Sequence, residues 1–229
     1  MKKILLIIPA YNEARNIEKV ISGLKGEYDY IIANDGSIDD TVKICRERNY
    51  NILDIPINLG LAGAFQTALQ YAYEKGYDYA IQFDGDGQHR SEYINGMMKF
   101  AEEEKYNIVI GSRFIAEKKP LNPRMIGSRL ISALIKIVTG VKIQDSTSGM
   151  RLFDRSVMKR MAYEANMAPE PDTIAYLIKC GAKVGEYPVE MGGREFGESY
   201  LNFANSIKYM WRICFSILLL HAVRERKEL

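Results

Sequence analysis

A chain of 229 residues, 47% hydrophobic and 26% charged, can bury one sizeable core, and its 15 Tyr and 8 Phe argue against disorder. Lys+Arg number 31 against 29 Asp+Glu, a formal charge of +2, so a global polyanion binder is excluded and no nucleic acid is expected as a partner. The three scattered cysteines (Cys45, Cys180, Cys214) and two histidines (His89, His221) exclude a disulfide framework, a thiolate zinc site and a multi-histidine metal centre.

Met1-Lys2-Lys3 ahead of an apolar run over 4–8 has the outline of a secretion signal. The run is too short, however, and it closes at Pro9 with polar Tyr11-Asn12-Glu13 and no small-residue cleavage site, so a buried strand in a cytosolic protein is expected. Apolar runs over 30–33, 52–55, 79–83 and 108–110 read as further strands, covered on both faces as in a parallel sheet. Between them, 17–24, 41–47, 62–74 and 93–103 carry helical spacing, which together gives the βαβ rhythm of a doubly wound α/β fold. Gly76 and Gly140 follow helical patterns and suit the position just past a helix end.

The second half is less regular. Residues 117–123 form a charged, proline-broken loop, and 124–138 reads as a helix with apolar Ile126, Leu130, Leu134 and Ile137 and a polar stripe of Ser128, Arg129, Ser132 and Lys136. Residues 183–189 form another strand, with Pro188 suited to a sheet edge. The final helix, 202–223, places Asn205, Lys208, Arg212 and Ser216 on one stripe and Trp211 and Phe215 elsewhere, with Arg224, Arg226 and Lys227 beyond. That pattern fits an interfacial helix on an anionic membrane and equally a helix packed on the core; the apolar run 213–220 is too short to span a bilayer.

The chemistry concentrates at strand ends. Asp84-Gly85-Asp86 ends the fourth strand, and residues two apart in an extended chain point the same way, so two carboxylates can converge on Mg2+ or Mn2+. Asp-Gly is also a common turn dipeptide. Yet Pro9-Ala10-Tyr11-Asn12-Glu13, the run from Asn34-Asp35-Gly36-Ser37 to Thr41, and Asn58-Leu59-Gly60 end the first three strands. In a parallel sheet all four loops share one rim, where open α/β sheets bind ligands. Turn formation alone does not explain acidic and amide groups recurring there.

Taken together, PAYNE, DGSIDDT, NLG and DGDGQH resemble the family 2 glycosyltransferases of GT-A fold. The later GSR (Gly111 to Arg113), Ser128-Arg129, DSTSGMR (Asp145 to Arg151) and Arg194 to Ser199 are most similar to the polyprenyl-phosphate sugar synthases, the branch that contains dolichyl-phosphate mannose synthase. The resemblance runs to about Ser199 and implies a GT-A domain over 1–200, a Rossmann-like, mostly parallel sheet flanked by helices. Residues 201–229 would be a C-terminal amphipathic helix for membrane association or oligomerisation.

The resemblance also implies roles. Pro9, Ala10, Glu13, Asp35, Ser37, Asn58 and Gly60 would enclose the nucleotide; Asp84, Asp86 and Gln88 would hold Mg2+ or Mn2+ and, through it, the diphosphate. Arg113, Arg129 and Ser132 would receive a lipid phosphate, and Arg194, on a loop with Gly192, Gly193 and Gly197, would close over the diphosphate. Glu170 and Asp172 stand where hydroxyl-accepting relatives carry a base, while Asp172 also suits a helix N-cap. Arg90 follows His89 where mannose synthases usually have proline, and Tyr200 follows Ser199 where the family often has lysine. A UDP-hexose or UDP-N-acetylhexosamine donor is therefore expected ahead of GDP-mannose. The expected activity is metal-dependent inverting transfer to a polyprenyl phosphate by a peripheral enzyme on the inner face of the cytoplasmic membrane. The alternative acceptor is a sugar hydroxyl in cell-wall or capsule polysaccharide synthesis. A small membrane-anchoring subunit and a homo-oligomer are compatible with this reading. The PAYNE loop stands where a nucleotidylyltransferase would need a GxGTR-type loop and a dehydrogenase GxGxxG.

Overall fold

The computed structural model describes residues 2–84, 89–115, 119–120, 123–192 and 203–223. The first half follows the expected alternation: β1 (Ile4–Ala10), α1 (Ile17–Gly23), β2 (Asp29–Asp35), α2 (Thr41–Glu47), β3 (Ile52–Ile55), α3 (Gly60–Glu74), β4 (Tyr79–Gln82), α4 (Ile94–Glu104) and β5 (Ile108–Ser112). The second half contains α5 (Pro123–Thr139), β6 (Arg151–Asp154), α6 (Arg155–Tyr163), α7 (Pro171–Lys179), β7 (Val184–Pro188) and α8 (Phe203–Val223). Gly76 and Gly140, past α3 and α5, adopt φ of 78° and 77°, as their positions require.

The sheet order is β3-β2-β1-β4-β6-β5-β7, with every pairing parallel except those of β6. The chain first winds outward from β1 to β3 and then returns to add β4 on the other side of β1. The crevice at that reversal, between the carboxyl ends of β1 and β4, is where an open α/β sheet receives a ligand. Side chains alternate across β1: Leu5 and Ile7 join the core that includes α3, α5, α6, α7 and α8, while Ile4, Leu6 and Ile8 join the core that includes α1 and α4. β7 is an edge strand, and Pro188 ends it.

β6 and α6 have no counterpart among the expected elements. β6 is only four residues long and opens with a fully buried arginine, so it lacks an apolar run to mark it. Being antiparallel, it starts at the rim where β1, β4 and β5 end, and so brings residues 145–151 to the candidate site. Asp154 then caps α6, its carboxylate accepting from the Val157 amide at 2.9 Å.

α5 reverses the simple amphipathic expectation. Ile126, Leu130 and Ile137 are exposed, while Met125, Ser128, Ile131 and Ile135 are buried. The buried serine is tolerated because a partner awaits it: the Ser128 and Thr147 hydroxyls are 3.0 Å apart. α8 packs against α5 and α7, closely enough that Gly127 faces Met210 with no room for a Cβ. Its Ile213 and Ile217 are buried in the core, whereas Trp211, Phe215, Leu218 and Leu219 are exposed.

Candidate active site

The donor end is a set of loops clamped to one another. The Asn12 amide donates to Ser37 Oγ at 2.9 Å, and the Ile38 amide returns a bond to Asn12 Oδ1 at 2.9 Å. The Glu13 amide donates to Thr41 Oγ1 at 2.9 Å, and the Glu13 carboxylate accepts from Asn16 at 2.6 Å. Thr41 and Ala14 also donate to Asp39. Burial works to raise Asp39, but these hydrogen bonds outweigh it and hold the carboxyl below the ordinary carboxylate range. Pro9 and Ala10 complete β1 beneath this clamp, paired with Ala33 and Asn34.

Buried Asp35 closes β2, and its Oδ1 accepts from the Leu59 amide at 2.6 Å. Gly36 has φ of 66°, and a Cβ there would lie 2.7 Å from the Asn58 nitrogen, so only glycine permits the β2 and β3 loops to approach this closely. The Asn58 side chain accepts from the Gly60 amide at 3.0 Å, where α3 begins. Pro9, Ala10, Glu13, Asp35, Ser37, Asn58 and Gly60 thus gather at the ends of β1, β2 and β3.

Asp84 follows β4 across the crevice. Its Oδ1 accepts from Gln82 at 3.2 Å, its amide donates to His89 Nδ1 at 2.8 Å, and Gly149 lies so close that a Cβ would sit 2.5 Å from Oδ2. His89 is buried and serves as a scaffold for the Asp84 backbone. Asp86, Gln88 and Arg194 lie outside the described residues. Among the described residues no group of three or more His, Cys, Asp or Glu could cage a metal by itself. Asp84 nevertheless offers a partly exposed carboxylate at the crevice, which suits Mg2+ or Mn2+ completed by substrate phosphates.

Beyond Asp84 lies a cationic cluster. Arg113 grips fully buried Asp145 with Nε and NH2 at 2.7 and 2.8 Å, and its amide adds a bond at 3.1 Å. Glu186 accepts from the Asp145 and Gln144 amides at 2.8 and 2.7 Å, which fixes the loop that carries Asp145. Ser132 stands 3.1 Å from Ser146, and Arg129 donates to the Lys119 carbonyl at 2.6 Å. Lys119, which the sequence places in a bland charged loop, donates from Nζ to Ser128 at 2.9 Å. Burial lowers its pKa below that of an ordinary lysine, with Asp145 and Glu186 opposing and Arg113 and Arg129 reinforcing the shift. Arg113, Arg129 and Ser132 therefore lie around the same loop, and Lys119 joins them.

Arg151 is the other residue that sequence reasoning missed. It is fully buried at the rim end of β6 and donates to the Pro169 and Ser146 carbonyls. Burial pulls its pKa down, opposed by Tyr209, Asp84, Glu170 and Asp145 around it. Its guanidinium thus joins the loop of residues 145–150 to that of 168–170.

Asp172 does not take the helix N-cap position that its sequence context suits. The N-cap of α7 is Glu170, without a side-chain capping bond; Pro171 follows and Asp172 sits in the first turn, so Asp172 is not the cap. Both carboxylates engage α8. Glu170 pairs with Arg212 at 2.5 Å, and Asp172 accepts from Ser216 at 2.5 Å. Arg212 and Ser216, half of the polar stripe of this helix, point to the start of α7. Tyr209 packs beside them, its hydroxyl pushed up to about 12 by burial and by Glu170.

A family model described as glycosyl transferase family 2 matches residues 5–161. A UDP-N-acetylglucosamine–dolichyl-phosphate N-acetylglucosaminyltransferase of Methanococcus voltae is 34% identical over 215 residues, covering 82% of this chain and 85% of its own. An undecaprenyl-phosphate mannosyltransferase of Micrococcus luteus is 25% identical over 215 residues, covering 87% and 88%. Among solved structures, glucosyl-3-phosphoglycerate synthase of Mycobacterium tuberculosis, in complex with Mn2+, UDP and glucosyl-3-phosphoglycerate, aligns with a TM-score of 0.64 at 17% identity, over 96% of this chain and 80% of its own. That likeness establishes the GT-A architecture.

Proposed function

The chain belongs to glycosyl transferase family 2, and on that premise we propose that it transfers a hexose or N-acetylhexosamine from a UDP-sugar to a polyprenyl phosphate, with inversion at the anomeric carbon. Its similarity to sugar transferases named for dolichyl- and undecaprenyl-phosphate acceptors supports the acceptor class. The observation that carries the reading is the convergence of Arg113, Lys119 and Arg129 on the serine-lined loop beside Asp84, while Glu170 and Asp172 are tied to α8.

The chemistry follows from what each group can hold. A phosphate monoester is largely ionised near neutrality, its second pKa being about 6, so it needs positioning and charge neutralisation more than a base. Arg129 and Lys119 would hold its oxygens, Ser132 would donate to one of them, and Arg113, locked by Asp145, would present its remaining N–H groups from a fixed direction. At the other end the clamped β1, β2 and β3 loops would hold the nucleotide, Asp35 taking the base. Asp84, Asp86 and Gln88 would hold Mg2+ or Mn2+, which when bound supplies neutralisation of the leaving diphosphate. Arg194 would add a further charge there.

The exposed aromatic and aliphatic side chains of α8 and the apolar stripe of α5 support peripheral attachment to the inner face of the cytoplasmic membrane, with 201–229 as the docking appendage on the 1–200 domain. Among the described residues no helix is long and apolar enough to cross a membrane. One observation favours a hydroxyl acceptor instead: Asp172 Oδ1 is buried without a hydrogen-bond partner among the described residues, as a base awaiting a proton would be.

The test is transfer from labelled UDP-sugars to an organic-extractable polyprenyl phosphate. Arg129→Met is expected to lose about 10- to 100-fold in kcat/KM for the acceptor, the loss of one charged hydrogen bond of about 1.5–3 kcal/mol. Unchanged transfer refutes the phosphate site. A large loss in Glu170→Gln or Asp172→Asn with a soluble sugar acceptor, but none with the lipid, establishes the hydroxyl reading.

A further inference from the structure

β4 is buried along its whole length, yet after Tyr79, Ala80 and Ile81 it ends in Gln82, which is 3% exposed. A carboxamide inside a covered strand is unfavourable unless its polar atoms find partners. Here only half of the group does. Gln82 Nε2 donates to Asp84 Oδ1 at 3.2 Å, while Gln82 Oε1 is buried with no hydrogen-bond partner among the described residues. The amide cannot turn round, because that would set its oxygen against a carboxylate oxygen.

The residue directly opposite Gln82 in the antiparallel pair of β4 and β6 is Arg151. Opposed residues share a face of the sheet, and that face is the one to which Ala80 and Phe153 contribute their side chains. Arg151 gives its terminal nitrogens to the Pro169 and Ser146 carbonyls, and its Nε is buried without a partner among the described residues. Gln82 Oε1 and Arg151 Nε thus do not satisfy each other, and the one hydrogen bond the carboxamide makes goes to Asp84. The rest of Asp84 is held from other sides. Its amide donates to His89 Nδ1, and its Oδ2 lies against Gly149, yet its side chain keeps 34% exposure.

We propose that Gln82 is a positioning residue, whose carboxamide fixes the rotation of the Asp84 carboxylate so that a divalent cation meets a ligand already oriented. This rests on the metal-dependent sugar-transfer reading above. Gln82 itself touches neither the ion nor a substrate. Hydrogen bonds to a ligating carboxylate from behind set its direction, and their loss weakens the metal site without removing a ligand. A neutral donor suits this place better than a cation would, because it orients the carboxylate and leaves its negative charge for the ion. The unpartnered Oε1 shows that the glutamine serves this contact at the expense of the strand's own stability.

The experiment measures UDP affinity of the full chain by calorimetry, with and without saturating Mn2+, and the Tm of the same samples. Mn2+ is expected to tighten UDP binding to the wild-type chain. Gln82→Met keeps the length of the side chain and removes both polar atoms. In that variant the gain from Mn2+ is expected to fall at least 10-fold, the scale on which metal sites respond to loss of a group behind a ligand. UDP affinity without metal should stay within 2-fold, and Tm should not fall, because the unpartnered oxygen leaves together with the donor. An undiminished gain from Mn2+ in Gln82→Met overturns the proposal. So does a lowered Tm, a chain that fails to fold, or weaker metal-free UDP binding in that variant, any of which makes Gln82 a structural residue. Failure of the underlying reading shows separately, in the wild-type chain: UDP bound equally well with and without Mn2+ would remove the metal site and the proposal with it.

Discussion

Arg113 is expected to be needed twice, once for the acceptor and once for the fold, and the two needs can be separated. In Arg113→Met the buried carboxylate of Asp145, with 0% side-chain exposure, loses both guanidinium bonds and keeps only the Arg113 amide at 3.1 Å. Breaking a buried ion pair from one side costs about 3–5 kcal/mol. The surviving amide bond and the nearby Lys119 charge place this case at the low end, about 3 kcal/mol. For a chain of this size that is a fall of about 6–12 °C in Tm. Arg129→Met leaves no buried charge behind, since its bond is to the Lys119 carbonyl, so a loss under about 1 kcal/mol is expected. Both variants are expected to lose transfer to the lipid phosphate. The double variant Arg113→Met/Asp145→Asn removes the stranded charge and should recover most of the stability while staying inactive. Urea and thermal unfolding, run beside the transfer assay, measure each quantity. Equal stabilities for Arg113→Met and Arg129→Met, or no recovery in the double variant, would refute the argument that Arg113 is the partner of the buried Asp145 carboxylate.

Three further outcomes are expected. In Gly149→Ala the new Cβ would meet Asp84 Oδ2 at 2.5 Å, so the carboxylate must turn; Mn2+-dependent donor turnover should fall at least 10-fold with Tm within a few degrees, and full activity would show that Asp84 does not need its present orientation. Burial lowers the Lys119 pKa, with Asp145, Glu186, Arg113 and Arg129 around it, so its charge is lost at lower pH than that of an exposed lysine as the solution becomes alkaline. The alkaline limb of kcat/KM for the acceptor should therefore move to higher pH in Lys119→Arg, and a stationary limb would remove Lys119 from acceptor binding. Trp211→Ser/Phe215→Ser should abolish flotation with anionic vesicles while transfer to a short, water-soluble prenyl phosphate is retained; undiminished flotation would show that α8 is not the docking surface.

The half of the fold built on repetition was legible. Apolar runs with helical spacing between them define β1 to β5 and α1 to α4, because a strand covered on both faces and a helix with one buried stripe each leave a period in the sequence. The second half departs from period. β6 opens with a buried arginine, and α5 buries serine while exposing Ile126, Leu130 and Ile137. An amphipathic pattern says which residues differ from one another but not which side faces inward. For α5 the decision is made by Ser146 and Thr147, which reach Ser132 and Ser128 from a loop more than ten residues later in the chain.

The same reasoning explains what was visible of the site. Acidic and amide groups at the ends of successive strands reveal a rim, because parallel topology converts sequence order into spatial neighbourhood. Cations are harder to read, since an arginine that binds a ligand and one that neutralises a buried carboxylate look alike in sequence. Here the carboxylates divide them. Asp145 takes the charge of Arg113, which leaves that arginine only its remaining N–H donors for an acceptor, Glu170 takes that of Arg212, and Arg151 is held by carbonyls among several acidic groups. Lys119 bonds to a hydroxyl, and the bond from Arg129 goes to a carbonyl; neither neutralises a charge. In the proposed reading those two cations meet the charge of about −1.5 to −2 that a phosphate monoester carries. Lys119 could be singled out only after Asp145 had been placed beside Arg113, because its importance lies in the carboxylate that is already taken.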